Sequence, residues 1–243
     1  MVQYVSMKIF FIIFLIIIFL LISIQAYRII YYTKISHKLV LKAYPFSVTE
    51  KNAVGSFLIL GDSLGVGVGS SQADSIAGRF HKEFPLVNID NRSVSGAKIK
   101  DGLKTLGEIK PGTHYNLSII ILGANDIVRF TSEKDALRDL QELLTITQKI
   151  SDKTIFVTSG SVGFAPVFIE PLSSIYTQRS LKFFKGFEEI ASTTGVMYVS
   201  LYSPRSTDPF TKNPDKYYAG DKFHPSGAGY GLWFERIKVA LSS

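Results

Sequence analysis

The chain contains no cysteine, which excludes a disulfide framework, a thiolate metal site and a lipid anchor on a cysteine sulfur. It has no internal repeat and, apart from one apolar run, no low-complexity tract, so a solenoid or a fibrous array is not expected. No G-K-[ST] follows a glycine-rich turn, so the phosphate cradle of a P-loop is missing. Acidic residues are the minority charge, 20 against 27 Lys and Arg, for a net charge of +7. The excess is unevenly placed: Lys8, Arg28, Lys34, Lys38 and Lys42 against Glu50 put +4 in the first 50 residues and leave +3 for the rest. A nearly balanced globular part gives no reason to expect a nucleic-acid partner, and the basic stretch suits anionic lipid headgroups.

What is present begins with an apolar run. The 243 residues suit one α/β domain with an appendage, and a mean hydropathy of +0.20 is high for such a domain. The excess sits at Ile9–Tyr27, where only Ser23 and Gln25 interrupt. That is close to the roughly 20 residues a helix needs to cross a bilayer. Residues 1–27 are therefore expected to form a single-pass transmembrane anchor. A cleaved signal peptide is the alternative, but its apolar region is usually about 7–15 residues, and Ile24 is not small where an Ala26 cleavage site would need it to be. Tyr27, Tyr31 and Tyr32 fit an interfacial aromatic belt. Met7-Lys8 resembles the start of an export signal, which places the rest of the chain outside the cytoplasm of a bacterium, whereas Arg28, Lys34, Lys38 and Lys42 after the span weigh the other way. Residues 28–54, polar and basic without clear periodicity, read as a linker, and residues 55–243 as the folded domain.

Within that domain short runs rich in Ile, Val, Leu and Phe alternate with longer helical patterns, the signature of βαβ units and a parallel sheet. Strands are expected at Ser56–Leu60, Val87–Asp90, Leu117–Leu122, Thr154–Thr158 and Val196–Leu201. Helices are expected at Ala73–Phe84, Glu133–Ile150, Ser173–Thr194 and Ser226–Leu241. The stretch Gly160–Pro171 is the longest loop and follows a strand's C-terminal end, the edge where open α/β sheets bind ligands.

Four motifs fall at that edge. Gly61-Asp62-Ser63-Leu64-Gly65 sets a serine on a tight turn after the first strand; on its own this is also what an ordinary glycine-rich βα turn looks like. Gly65, Gly67 and Gly69 with Asp90 suggest a dinucleotide site, but the pattern needs glycine where Ser70 stands. Asp221 and His224 lie three residues apart before the last helix, so the carboxylate can reach Nδ1 and free Nε2 to take a proton from a serine; a capping Asp beside a surface His is the plainer reading. His37, His81 and His114 have no comparable neighbour in sequence. Gly123-Ala124-Asn125-Asp126 leaves the third strand, where an Asn amide serves either a turn or an oxyanion. In Ser93-Val94-Ser95-Gly96-Ala97, Gly96 lets its backbone N–H approach a ligand closely.

Together, in this order and spacing, the four motifs resemble the SGNH hydrolases, also called the GDSL esterase/lipase family. The resemblance covers about residues 55–241. It implies a three-layer α/β/α, flavodoxin-like domain with a five-stranded parallel sheet in the order 2-1-3-4-5. It also implies a catalytic set of Ser63, Asp221 and His224 and an oxyanion hole of Ser63, Gly96 and Asn125, with Asp62, Gly123 and Asp126 in support. No metal or cofactor is implied, since acyl transfer through serine needs only the base and the oxyanion donors. The expected substrate is a small-molecule, glycan or lipid carboxylic ester. An O-acyltransferase working on envelope glycans or lipids and a non-catalytic acyl-glycan or lipid binding domain are the alternatives. The Ser-Asp-His order also occurs in α/β-hydrolases, but a nucleophile after the first strand, with acid and base three residues apart, resembles the SGNH arrangement instead.

Overall fold

The structure, a computed structural model, describes residues 2–242, so Met1 and Ser243, the outermost residues of the expected segments, lie outside it. Five parallel strands, β1 (Gly55–Gly61), β2 (Val87–Asn91), β3 (Tyr115–Ile121), β4 (Ser151–Thr158) and β5 (Met197–Ser200), form one sheet in the order β2-β1-β3-β4-β5. This is the expected topology. The chain crosses to one side after β1 and to the other after β2, which leaves a crevice at the C-terminal ends of β1 and β3.

Residues alternate between the two faces of the sheet, as a period of two requires. Phe57, Ile59, Ile119 and Ile155 point to one side and pack with Ile76 and Phe80 of α3 (Ile76–Glu83) and with Tyr230, Trp233 and Phe234 of α10 (Gly227–Ser242). Leu58, Leu60, Ile120 and Phe156 point to the other. There they meet α4 (Ile99–Gly107), α6 (Glu133–Lys149) and α7 (Leu172–Thr194). Each such fully buried side chain is worth roughly 1.5–3 kcal/mol in area terms. The result is three layers. Four short helices, α2 (Ser63–Val66), α5 (Ala124–Val128), α8 (Pro209–Lys212) and α9 (Pro214–Tyr217), sit in the connections.

Helix α4 was not expected, because Gly102 and Gly107 make its sequence a poor helix former. The glycine has a packing reason: a Cβ on Gly102 would come within 2.7 Å of Leu122 and 2.8 Å of Leu143, so a larger residue would have to displace these side chains.

The largest departure from expectation is α1, a single helix from Val2 to Lys42. At 1.5 Å per residue its 41 residues extend for about 60 Å. In its most apolar stretch the mean hydropathy is 3.1 and only 6 % of residues are buried by the rest of the chain, unlike a core helix. The helix is long and apolar enough to cross a membrane. It does not stop at residue 27, so the expected linker 28–54 is corrected: residues 28–42 continue the helix and pack on the domain, and only 43–54 connect it to β1. Tyr32, Ser36 and Val40 recur every four residues and turn one face inward, with the exposed Ile29 one turn before them at the cavity's rim, while Lys34, His37 and Lys38 are exposed. Because that face mixes Ser and Thr with apolar residues, it leaves no clear apolar stripe in the sequence.

Candidate active site

Strand β1 ends in Gly61, and the Asp62 carboxylate then caps α2 by accepting from Leu64 N at 2.9 Å. This holds Ser63 at the first turn of α2, on the crevice. Across it, the turn before α10 folds on one carboxylate: Asp221 Oδ1 accepts from Phe223 N at 3.1 Å and His224 N at 3.0 Å. Asp221 Oδ2 lies 2.5 Å from His224 Nδ1, and His224 Nε2 lies 2.9 Å from Ser63 Oγ. The three residues are 0 %, 4 % and 8 % exposed for Asp221, His224 and Ser63. Burial alone would raise the Asp221 pKa, but the bond and charge of His224 and the two backbone N–H groups outweigh it and hold the carboxyl below its usual value. A charged Asp221 favours the tautomer with its proton on Nδ1 and leaves the Nε2 lone pair facing Ser63.

The expected oxyanion groups converge on the same space. Among the described residues neither Ser63 N–H nor Gly96 N–H has a hydrogen-bond acceptor, although buried backbone donors are almost always paired. Gly96 has φ +83°, a backbone conformation that favours glycine, and the Arg129 guanidinium lies where a Cβ would stand. The Asn125 amide is more committed than the sequence suggests: Nδ2 donates to Asp62 Oδ2 and to Ala97 O, both at 3.1 Å. Burial pushes the Asp62 pKa up to about 6, even though Leu64 N–H, His224 and Asn125 pull it down. Gly123 caps α5, and the Asp126 carboxylate accepts from Ile99 N at 3.0 Å, tying α5 to the start of α4 beside Gly96. Burial raises the Asp126 pKa too. Asp62, Gly123 and Asp126 thus stand behind the groups that face the crevice.

Two cavities meet at Ser63. A small one of ≈ 60 Å³ runs under the Gly160–Pro171 loop, between Ser161, Ala165, Phe210 and Trp233. A larger one of ≈ 490 Å³ is lined by Ser63, Gly96, Asn125, Asp221 and His224, by Val167 and Phe168 of the same loop, and by α1. The loop therefore lies on the ligand edge, as its position after β4 implied. Sequence reasoning missed the α1 residues and Arg129; the signal that could have found the former is the spacing of Ile29, Tyr32, Ser36 and Val40.

Two of the other histidines find carboxylates far along the chain. His114 Nε2 does find a carboxylate, Asp152, at 2.7 Å, and His81 lies 3.7 Å from Glu50. These partners are 38 and 31 residues away, too distant to be read from local spacing. Neither ring is bonded to a serine hydroxyl among the described residues. Nor do three His, Asp or Glu side chains gather there in a metal-holding group.

The GDSL-like lipase/acylhydrolase family model matches residues 59–232. A GDSL-like esterase of Mycobacterium tuberculosis is 20 % identical over 197 residues, which span 76 % of this chain and 60 % of that protein. An acetylxylan esterase from Geobacillus stearothermophilus has a similar fold, with a TM-score of 0.56 at 18 % identity over 80 % of this chain and 97 % of that one. So does a psychrotrophic esterase from Pseudoalteromonas sp., crystallised inhibited by monoethylphosphonate, with a TM-score of 0.57 at 19 % identity over 77 % of this chain and 97 % of that one.

Proposed function

Since this chain belongs to the GDSL-like lipase/acylhydrolase family, we propose that it is a membrane-anchored serine ester hydrolase working through Ser63, His224 and Asp221. The observation that carries the proposal is the continuous hydrogen-bonded chain from Asp221 through both ring nitrogens of His224 to Ser63 Oγ. His224 Nε2 takes the hydroxyl proton as Ser63 Oγ bonds to the ester carbon, and Asp221 stabilises the imidazolium that results. The carbonyl oxygen, now an anion, accepts from the free N–H groups of Ser63 and Gly96 and from Asn125 Nδ2. For that last bond the oxyanion competes with Asp62 and Ala97 for an amide proton. Collapse breaks the bond to the alcohol oxygen, which leaves with the proton from His224. Water then gives a proton to His224 and its hydroxide to the acyl carbon, and Ser63 recovers its proton as the acid departs.

The substrate on this reading is an acetylated sugar or a lipid ester. A fluorophosphonate should label Ser63 stoichiometrically, and Ser63→Ala should neither label nor turn over p-nitrophenyl esters. Near-wild-type hydrolysis by Ser63→Ala would falsify the assignment.

The unburied apolar length of α1 supports a single bilayer span within the proposed anchor of residues 1–27, and the family match over residues 59–232 falls within the proposed catalytic unit, 55–243. The export-like Met7-Lys8 start favours the outer face of a bacterial cell. Protease added to intact spheroplasts tests this: digestion of the domain supports the outward orientation, and full protection until lysis overturns it.

A further inference from the structure

The larger cavity beside Ser63 has one wall that the catalytic domain does not supply. Ile29, Tyr32, Thr33, Ser36 and Val40 of α1 form it, and from Ile29 to Val40 the helix rises about 17 Å. Facing it is the loop that carries Val167 and Phe168, and this loop is fastened to the helix at a definite height. Gln25 Nε2 donates to Val167 O at 3.2 Å, Ile169 N donates to Gln25 Oε1 at 2.8 Å, and the Arg28 guanidinium donates to Pro166 O. Gln25 lies near the end of the proposed span, two residues before Tyr27, although exposed apolar side chains continue through Ile29, Ile30 and Tyr31. One end of the cavity therefore lies within about two helical turns of the end of the span, at headgroup depth, and the catalytic groups open into the same space.

We propose that the anchor helix is part of the substrate site, and that the substrate is a bilayer-resident ester joining one long apolar arm to one short group. This rests on Ser63 being the ester-cleaving nucleophile. The long arm enters through the membrane end of the cavity and lies along Ile29, Tyr32 and Tyr176 with the carbonyl at Ser63. Passing from lipid to a mostly apolar cavity, it exposes less apolar surface to water than a transfer through solution would. A volume of ≈ 490 Å³ is ordinary for a ligand of that size. The small cavity, at ≈ 60 Å³ against ≈ 490 Å³ for the large one, suits the short group, such as an acetyl or methyl.

The test uses the full chain in phosphatidylglycerol–phosphatidylcholine vesicles. Methyl palmitate and hexadecyl acetate, which place the long arm on opposite sides of the ester, are supplied in the bilayer, and p-nitrophenyl acetate in water. At least one vesicle-borne ester should exceed p-nitrophenyl acetate in kcat/KM. Ile29→Trp and Ser36→Trp, which fill the cavity, should lower the long-to-short ratio at least tenfold, chiefly through KM. Lys38→Ala, on the exposed face, should leave the ratio unchanged. A ratio unmoved by both Trp variants, or hydrolysis of p-nitrophenyl acetate with none of either long ester, overturns the inference and leaves the role of Ser63 standing. Hydrolysis that persists in Ser63→Ala overturns both. Should the Trp variants misfold, a hexadecyl acetate carrying a diazirine on its chain is photolysed with the wild-type protein instead. Crosslinks on the peptides holding Tyr32 and Phe168 support the inference, and label confined to Ile9–Ile24 overturns it.

Discussion

The two cavities that share Ser63 are built in different ways. The small one is walled by Ala165, Phe210, Tyr218 and Trp233, which belong to the packed core beside the sheet. Its shape cannot change much without unpacking the domain. The large one has the proposed catalytic groups on one side and, on the other, a helix held to the domain by Gln25, Arg28 and the partly buried Tyr32. One reactive centre thus faces a rigid boundary and a docked one. Substitutions in the centre should affect every ester alike, whereas substitutions in the docked wall should separate long esters from short.

The largest effect, and the one blind to the difference between cavities, is expected from Ser63→Ala: a loss of at least about 10⁴-fold in kcat for short and long esters alike. Asp221→Asn should follow at on the order of 10³–10⁴-fold, because it keeps the bulk of the carboxylate but loses its charge and the tautomer it selects. Asn125→Ala should cost roughly 10²–10³-fold, again equally for both ester classes, when kcat is compared across chain lengths. An unequal loss would mean that Asn125 shapes one cavity rather than serving the reaction.

Asp62→Asn probes the floor beneath both cavities through its pH dependence. The folded-state pKa of Asp62, about 6, lies above its ordinary value, so folding favours the protonated acid. Its stabilising contribution is complete below about pH 4 and is lost as the pH rises through about 6, an effect on the order of 3 kcal/mol. Asp221 runs the opposite way: its lowered pKa stabilises the fold above the ordinary carboxylate value and that contribution is lost as the pH falls through the folded one. Denaturant titrations from pH 4 to 7 should show a flatter profile for Asp62→Asn than for wild type, and parallel profiles would refute the shift. The smallest effect is expected from Gln25→Leu, which leaves Val167 O and Ile169 N without their side-chain partner at a local cost of about 1–3 kcal/mol. Faster amide exchange confined to α1 and residues 160–171, with a long-to-short ester ratio reduced a few-fold, would mark the docked wall as separable.

The proposed reactive centre was legible in the sequence because each of its two halves is local and their motifs resemble a known family, although the contact that joins them, His224 to Ser63, spans 161 residues. Asp221 and His224 are three residues apart, Asp62 caps the turn that carries Ser63, and the strands show as short apolar runs. The wall was not legible, for the opposite reason. Gln25 reaches Val167 across 142 residues, and the inward face of α1 includes Thr33 and Ser36, so neither proximity nor hydropathy signals it. Helix α4 stayed hidden because Gly102 serves packing at the expense of propensity. The double commitment of Asn125 Nδ2 could not be foreseen either, since it depends on where Ala97 O falls in the folded chain.

The passage from α1 to the sheet is pinned early. Val48 pairs with Ile89 through two backbone bonds of 3.0 and 2.9 Å, and Glu50 N donates to Asn88 Oδ1 at 2.7 Å. Only residues 43–47 lie between the end of α1 and that pairing, a span of no more than about 17 Å when extended. A helix on so short a tether meets its own docking face at an effective concentration in the millimolar range. Contacts that would bind two separate molecules with a dissociation constant of only about 0.1 mM then keep α1 seated roughly nine-tenths of the time. The helix need not bind tightly to act as a permanent wall, and the space it encloses exchanges its contents through the ends rather than by the helix swinging away.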